Sequence, residues 1–179
     1  MPKICVMAKS KPTISNLNDL LVYDYSRFTD FEQGLKQVLP SWIVQANSLK
    51  LKTILQRYLY YADQHFRQVE GLIDGKVSGP NSKKIRTIER IIEDINDKLS
   101  VCVDPEVKDA CLLAAIQAIN HYKISMYGTA ASFANALDLK KTAKLFYAAE
   151  ISEKQIDKRL SELAEQEVNI RAKVPFALT

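Results

Sequence analysis

Five side chains break or border the apolar stripes of this 179-residue chain with groups that could hold or exclude a metal ion: Glu32, Asp63, Asn120, Lys123 and Glu153. Carboxylate oxygens are ligands for hard divalent cations, whereas an ammonium in the same space brings a competing positive charge. Spacing says which of them face inward. Glu32 lies four residues after Phe28 and three before Leu35, and Glu153 lies four after Ala149 and three before Ile156, so on helices each shares the buried face of its neighbours. Asn120 and Lys123 share a face with Leu113, Ile116 and Tyr127. Asp63 borders the stripe of its own segment, and the position three later is the apolar Phe66. His65 and His121 each fall one position from the polar core position of their helices, which reads as surface or interhelical hydrogen bonding. The tyrosines sit at helical spacing and read as packing. No Gly-rich phosphate loop, nucleophile elbow or H-E-x-x-H run occurs, so non-oxidative catalysis lacks a candidate.

Helices must position these residues. Five Gly and six Pro stand against long runs of Ala, Leu, Ile, Lys, Glu and Gln, which disfavours a sheet protein with many turns. A lead over residues 1–14 precedes Ser15 or Asn16, either of which can cap a first helix carrying Leu17, Leu21, Phe28, Leu35, Leu39 and Trp42. Pro40 is expected to bend or end it near Leu39. Asn47-Ser48 starts a second helix through Leu51, Leu55, Tyr58, Leu59, Ala62, Phe66, Val69 and Ile73, which stops at Asp74-Gly75 in a loop rich in Gly, Pro, Ser and Asn. A shorter helix with Ile85, Ile88, Ile91, Ile92, Ile95 and Leu99 follows. Asp104-Pro105-Glu106 combines a cap, a proline at the first helical position and an acid in the first turn, opening a fourth helix to about Leu137. Asp138 can cap the last helix, which runs to near Ala172. Two hairpins joined by a crossover is the wiring of ferritin-like bundles, so the expectation is all-α: an antiparallel four-helix bundle over 15–173, one short extra helix in the crossover, and a tail at 174–179.

Charge and cysteine usage bound the partners. The net charge of +4 owes three positive charges to Lys3, Lys9 and Lys11, all before the first acid, Asp19. A second basic cluster, Lys76, Lys83, Lys84, Arg86 and Arg90, surrounds the loop with few aromatic residues to stack on bases, so no nucleic-acid partner is expected. No stretch approaches a membrane span and no signal peptide is evident, which makes the cytoplasm the expected compartment. Cys5, Cys102 and Cys111 are odd in number and far apart in sequence, indicating neither a disulfide framework nor a zinc site.

At these residues the chain resembles the YciF-like bacterial stress proteins of the ferritin-like superfamily, long classed as a domain of unknown function. Asp19-Leu20-Leu21 through Glu32-Gln33-Gly34-Leu35 to Leu39-Pro40 is similar to that family's D-L-F … A-E-K-Q-L … L-P opening, and Gln68-Val69-Glu70 to its Q-V-E-R stretch. Asp104-Pro105, Asp109-Ala110, Ala114-Ala115 and His121-Tyr122 … Tyr127-Gly128-Thr129 resemble its most specific signature. Glu153-Lys154 … Asp157 … Leu160 … Leu163-Ala164 resembles its closing motif.

The resemblance implies that the inward acids were ligands of a dinuclear iron or manganese centre, at positions now held by Glu32, Asp63, Phe66, Asn120, Lys123 and Glu153. Against the family pattern, E-E-T followed by Glu or His is Asp63-Gln64-His65-Phe66, E-H-Y-E is Asn120-His121-Tyr122-Lys123, and two of three closing acids are Ile151 and Ser152. Two dications need roughly four anionic oxygens, and Lys123 opposes them. The expectation is an internal ion pair of Lys123 with Glu32 and Glu153, no cofactor, and a non-catalytic stress-associated structural or interaction protein working as a homodimer. The alternative is a di-iron or di-manganese oxidoreductase, or a reduced metal site drawn from Glu32, Asp63, Glu153 and His65. A small-molecule substrate is not readable from the sequence.

Overall fold

The computed structural model describes residues 13–71 and 86–173. Its first helix, α1 (Leu17–Gln45), starts where Asn16 Oδ1 accepts from Asp19 N at 2.9 Å. Ser48 Oγ accepts from Leu51 N at 3.3 Å to open α2 (Leu49–Glu70). Helix α3 spans Arg86–Val101. Asp104 Oδ1 takes the amides of Glu106 and Val107, at 2.8 and 3.1 Å, at the head of α4 (Pro105–Ala136). These caps satisfy amides that have no partner inside the helix. Helix α5 (Lys140–Leu163) passes through a π-helical turn at Ala164–Val168 into a last turn, α6 (Asn169–Ala172).

Short connections make α1 with α2, and α4 with α5, into hairpins; α1 packs on α4 and α2 on α5. The link from α2 to α4 carries α3, which lies against α1 and α4. Close approach there depends on Gly34, since a Cβ at that position would sit 2.9 Å from the Ile88 side chain. The described chain is thus all-α, two hairpins joined by one crossover, the connectivity of ferritin-like bundles. Among the described residues no helix is long and apolar enough to cross a membrane.

The core divides in two. Toward the α1–α2 turn, Leu35, Leu39, Trp42, Leu51, Leu55, Ile116 and Leu160 form an aliphatic group. Toward the other end Leu21, Phe28, Val69, Tyr127 and Phe146 form an aromatic one. Glu32, His65, Lys123 and Glu153 fall between the two groups along all four long helices.

Three local expectations are corrected. Pro40 neither bends α1 to a stop nor ends it: its ring is exposed, while Leu39 and Trp42 on either side are fully buried and Trp42 Nε1 donates to Asn96 Oδ1 at 2.8 Å. A mid-helix proline costs about 3 kcal/mol, and anchoring two large side chains offsets it. Helix α2 ends at Glu70 rather than Ile73. Asp138 does not cap α5 but takes the left-handed conformation, φ 57°, that turns the chain between the helices, and no side chain caps α5. Of the expected lead, only Thr13 and Ile14 are described, both exposed. Ile73, the loop after it, Ile85 and the tail at 174–179 lie outside the described residues.

Candidate functional site

One buried polar layer draws on every long helix: Glu32 from α1, His65 from α2, Asn120 and Lys123 from α4, and Glu153 from α5. Lys123 Nζ stands 2.9 Å from Glu32 Oε1 and 2.6 Å from Glu153 Oε1. Asn120 Nδ2 donates to Glu153 Oε2 at 2.6 Å, and the Tyr127 hydroxyl donates to Glu32 Oε1. His65 Nδ1 lies 3.1 Å from Glu153 Oε1 and 3.6 Å from Glu32 Oε1. The Lys123 ammonium also rests over the Tyr58 ring, 4.6 Å from its centroid, and His65 meets Tyr127 edge-on at 5.2 Å.

Local sequence explains this convergence. On α4 the residues between Ile116 and Tyr127 put Asn120 and Lys123 on the buried face at successive turns. On α1 and α5 each Glu replaces one apolar member of a three-and-four repeat. A charge removed from water survives only when it is paired, and each charged member here lies within ion-pair distance of an opposite charge, although Glu32 Oε2, Glu153 Oε1, His65 Nδ1 and Lys123 Nζ make no well-oriented hydrogen bond.

The electrostatics follow. Burial pushes the Glu32 carboxyl up, but Lys123, His65 and Tyr127 outweigh it and hold it below its ordinary value. Burial likewise disfavours the Lys123 ammonium, yet Glu153 and Glu32 raise its affinity for the proton. For His65, burial is overcome by hydrogen bonds to Glu153 and then Glu32, so the imidazole is raised too. Burial and the two carboxylates push the Tyr58 and Tyr127 hydroxyls well up, so both stay neutral. With His65 protonated, two acids face two cations and the layer is neutral.

Not every sequence candidate joins it. Asp63 is partly exposed, its carboxylate 2.6 Å from Lys36 Nζ and 2.8 Å from Arg67 Nη2, and Phe66 lies under the Lys36 ammonium at 4.5 Å. The buried stripe of α2 runs Leu51, Leu55, Tyr58, Ala62, His65, Val69, which turns Asp63 and Phe66 aside and aims His65 inward. His65 is therefore an interior partner rather than a residue one step off the core; His121 is exposed and pairs with Asp157 at 3.2 Å. Sequence reasoning also passed over Asp109, fully buried, whose two carboxylate oxygens accept the amides of Asn47 and Ser48 at 2.7 and 2.6 Å. Its signal was an acid on the apolar stripe of α4, four residues before Leu113.

Could the layer hold metal? Glu32, His65 and Glu153 offer three ligand atoms within 4.8 Å of one another, and Glu32 Oε2 has no hydrogen-bond partner. The Lys123 ammonium, however, contacts one oxygen of each acid. Two carboxylates and an ammonium do not fit a pair of dications.

Residues 16–173 match the family described as a domain of unknown function, DUF892. The chain belongs to that family. It is similar to protein YciF of Escherichia coli K12, 27% identical over 161 residues that span 89% of this chain and 96% of YciF. The crystal structure of that Escherichia coli stress protein superposes with a TM-score of 0.79 at 26% identity, covering 87% of this chain and 99% of YciF. YcfI of Rhodopseudomonas palustris, provisionally described as a structural protein, shares the fold with a TM-score of 0.76 at 24% identity, over 83% of this chain and 94% of YcfI. The DUF892 chain is thus of YciF type.

Proposed function

We propose that this YciF-type chain is a metal-free ferritin-like protein whose former dinuclear centre has become an internal ion cluster, and that it serves as a stress-associated structural or interaction protein rather than as a catalyst. The observation that carries this reading is the position of Lys123 Nζ, 2.9 and 2.6 Å from one oxygen of each core acid. An ammonium there supplies fixed positive charge between the same carboxylates that would bridge metal ions, and it consumes no ligand from solution. The four bundle helices are then tied together by side chains alone.

A single divalent cation is the second reading, favoured by the convergence of Glu32, His65 and Glu153. Such an ion would need Lys123 to withdraw from both oxygens it contacts. Thermal melts separate the two. A melting temperature that is unchanged by chelator and by added Mn2+ or Fe2+ supports the ion cluster; a fall with chelator, restored by the cation, supports the single-metal site and rejects the first reading.

A further inference from the structure

On the flank of α4 near its start, the α3–α4 turn brings close two thiols that are nine residues apart in the sequence. Cys102 directly follows the last residue of α3 and precedes Val103 and the capping Asp104. Its Sγ donates to the carbonyl of Lys98, one turn back, at 3.3 Å. Cys111 belongs to the second turn of α4, α3 packs back against α4, and the Cys102 side chain at the turn between them lies within interaction range of the Cys111 thiol. Both are half-buried, so a small oxidant has access to either.

We propose that Cys102 and Cys111 form a redox-active dithiol, oxidised by a peroxide to an intrachain disulfide that clamps α3 onto α4. The Cys102 thiolate attacks hydrogen peroxide: an S–O bond forms, the O–O bond breaks, and hydroxide leaves with the electron pair. The sulfenic acid is then attacked by Cys111 sulfur, the S–S bond forms, and the S–O oxygen leaves as water after taking the Cys111 proton. Two thiols and one peroxide thus give one disulfide and two waters, with two electrons passing from the sulfurs to oxygen. Burial and the neighbouring sulfur push the Cys111 thiol up, which suits it to the second, resolving step.

Intact full-length protein, reduced and then exposed to stoichiometric hydrogen peroxide, tests this. Trypsin cleaves after Lys98, Lys108 and Lys123, so the two cysteines leave in separate peptides, 99–108 and 109–123, that stay joined only through a disulfide. The expected result is loss of two hydrogen masses from the chain, recovery of those two peptides as one linked species, and a melting temperature raised by roughly 5 °C that a dithiol reductant reverses. The same oxidation of Cys5→Ser should give the same product, whereas Cys102→Ser should give none. Three free thiols after oxidation, a link that uses Cys5, a link between chains, or sulfinic acid without a link would each overturn the proposal.

Discussion

Helix α4 buries acid partners at two places, and they are satisfied in opposite ways. Near its start Asp109 holds two backbone amides, those of Asn47 and Ser48, and meets no cation among its hydrogen bonds. Three to four turns on, Asn120 and Lys123 meet Glu32 and Glu153, which are held by an ammonium, an imidazole, an amide and a phenol. Fixed amides of the backbone can do one thing, which is to pin the α1–α2 turn to α4. Side chains that pair with one another can be exchanged for other partners, metal ions included. The first place is therefore a staple, while the second, on the reading proposed above, keeps the geometry of a site whose ligand complement is gone.

Substitution can break that contrast. Lys123→Met keeps the volume but strands two buried carboxylates, and should cost about 3–5 kcal/mol in denaturant unfolding. If the layer retains a site's geometry, Mn2+ should recover part of that loss in the variant while leaving the wild type unmoved; a variant as stable as wild type without metal would show that the ammonium is dispensable. Asp109→Ala removes the acceptor for two buried amides and should cost about 3 kcal/mol, with no cation able to recover it. Recovery of Asp109→Ala by a divalent ion would erase the distinction.

The smallest effect is a pH dependence confined to the ion layer. His65 is raised above its unfolded value, so the stability it contributes is fully present below about pH 6.5 and is lost as pH rises through its folded value. The wild-type melting temperature should accordingly fall more between pH 6.5 and pH 9 than that of His65→Gln. Parallel pH curves for the two proteins would mean that His65 is not protonated in the fold.

Much of this arrangement was readable from residues alone because on α1, α4 and α5 the large apolar residues recur every three or four positions, with a polar residue set among them. The cap at Asp104 was plain, and those at Asn16 and Ser48 were legible to within one residue, since each combines a side-chain acceptor with a following apolar repeat. Helix α2 was harder: Leu59 and Phe66 compete with Tyr58 and His65 for the inward face, and hydropathy favours the wrong pair. Only the carboxylates across the bundle make His65 the better interior residue. Pro40 and Asp138 failed for a related reason, as the local rule was outweighed by tertiary anchoring in one case and by the turn geometry in the other. The contact between Cys102 and Cys111 depends on how α3 folds back and has no signature in their spacing.

On the proposed reading, the Lys123 ammonium occupies the place of metal in the bundle. Elemental analysis of the full chain, produced with iron and manganese supplied and purified without chelator, tests it most directly. Well below one equivalent of either metal per chain is the predicted result; two equivalents per chain, lost together on replacing Glu32 and Glu153 by Ala, would contradict it.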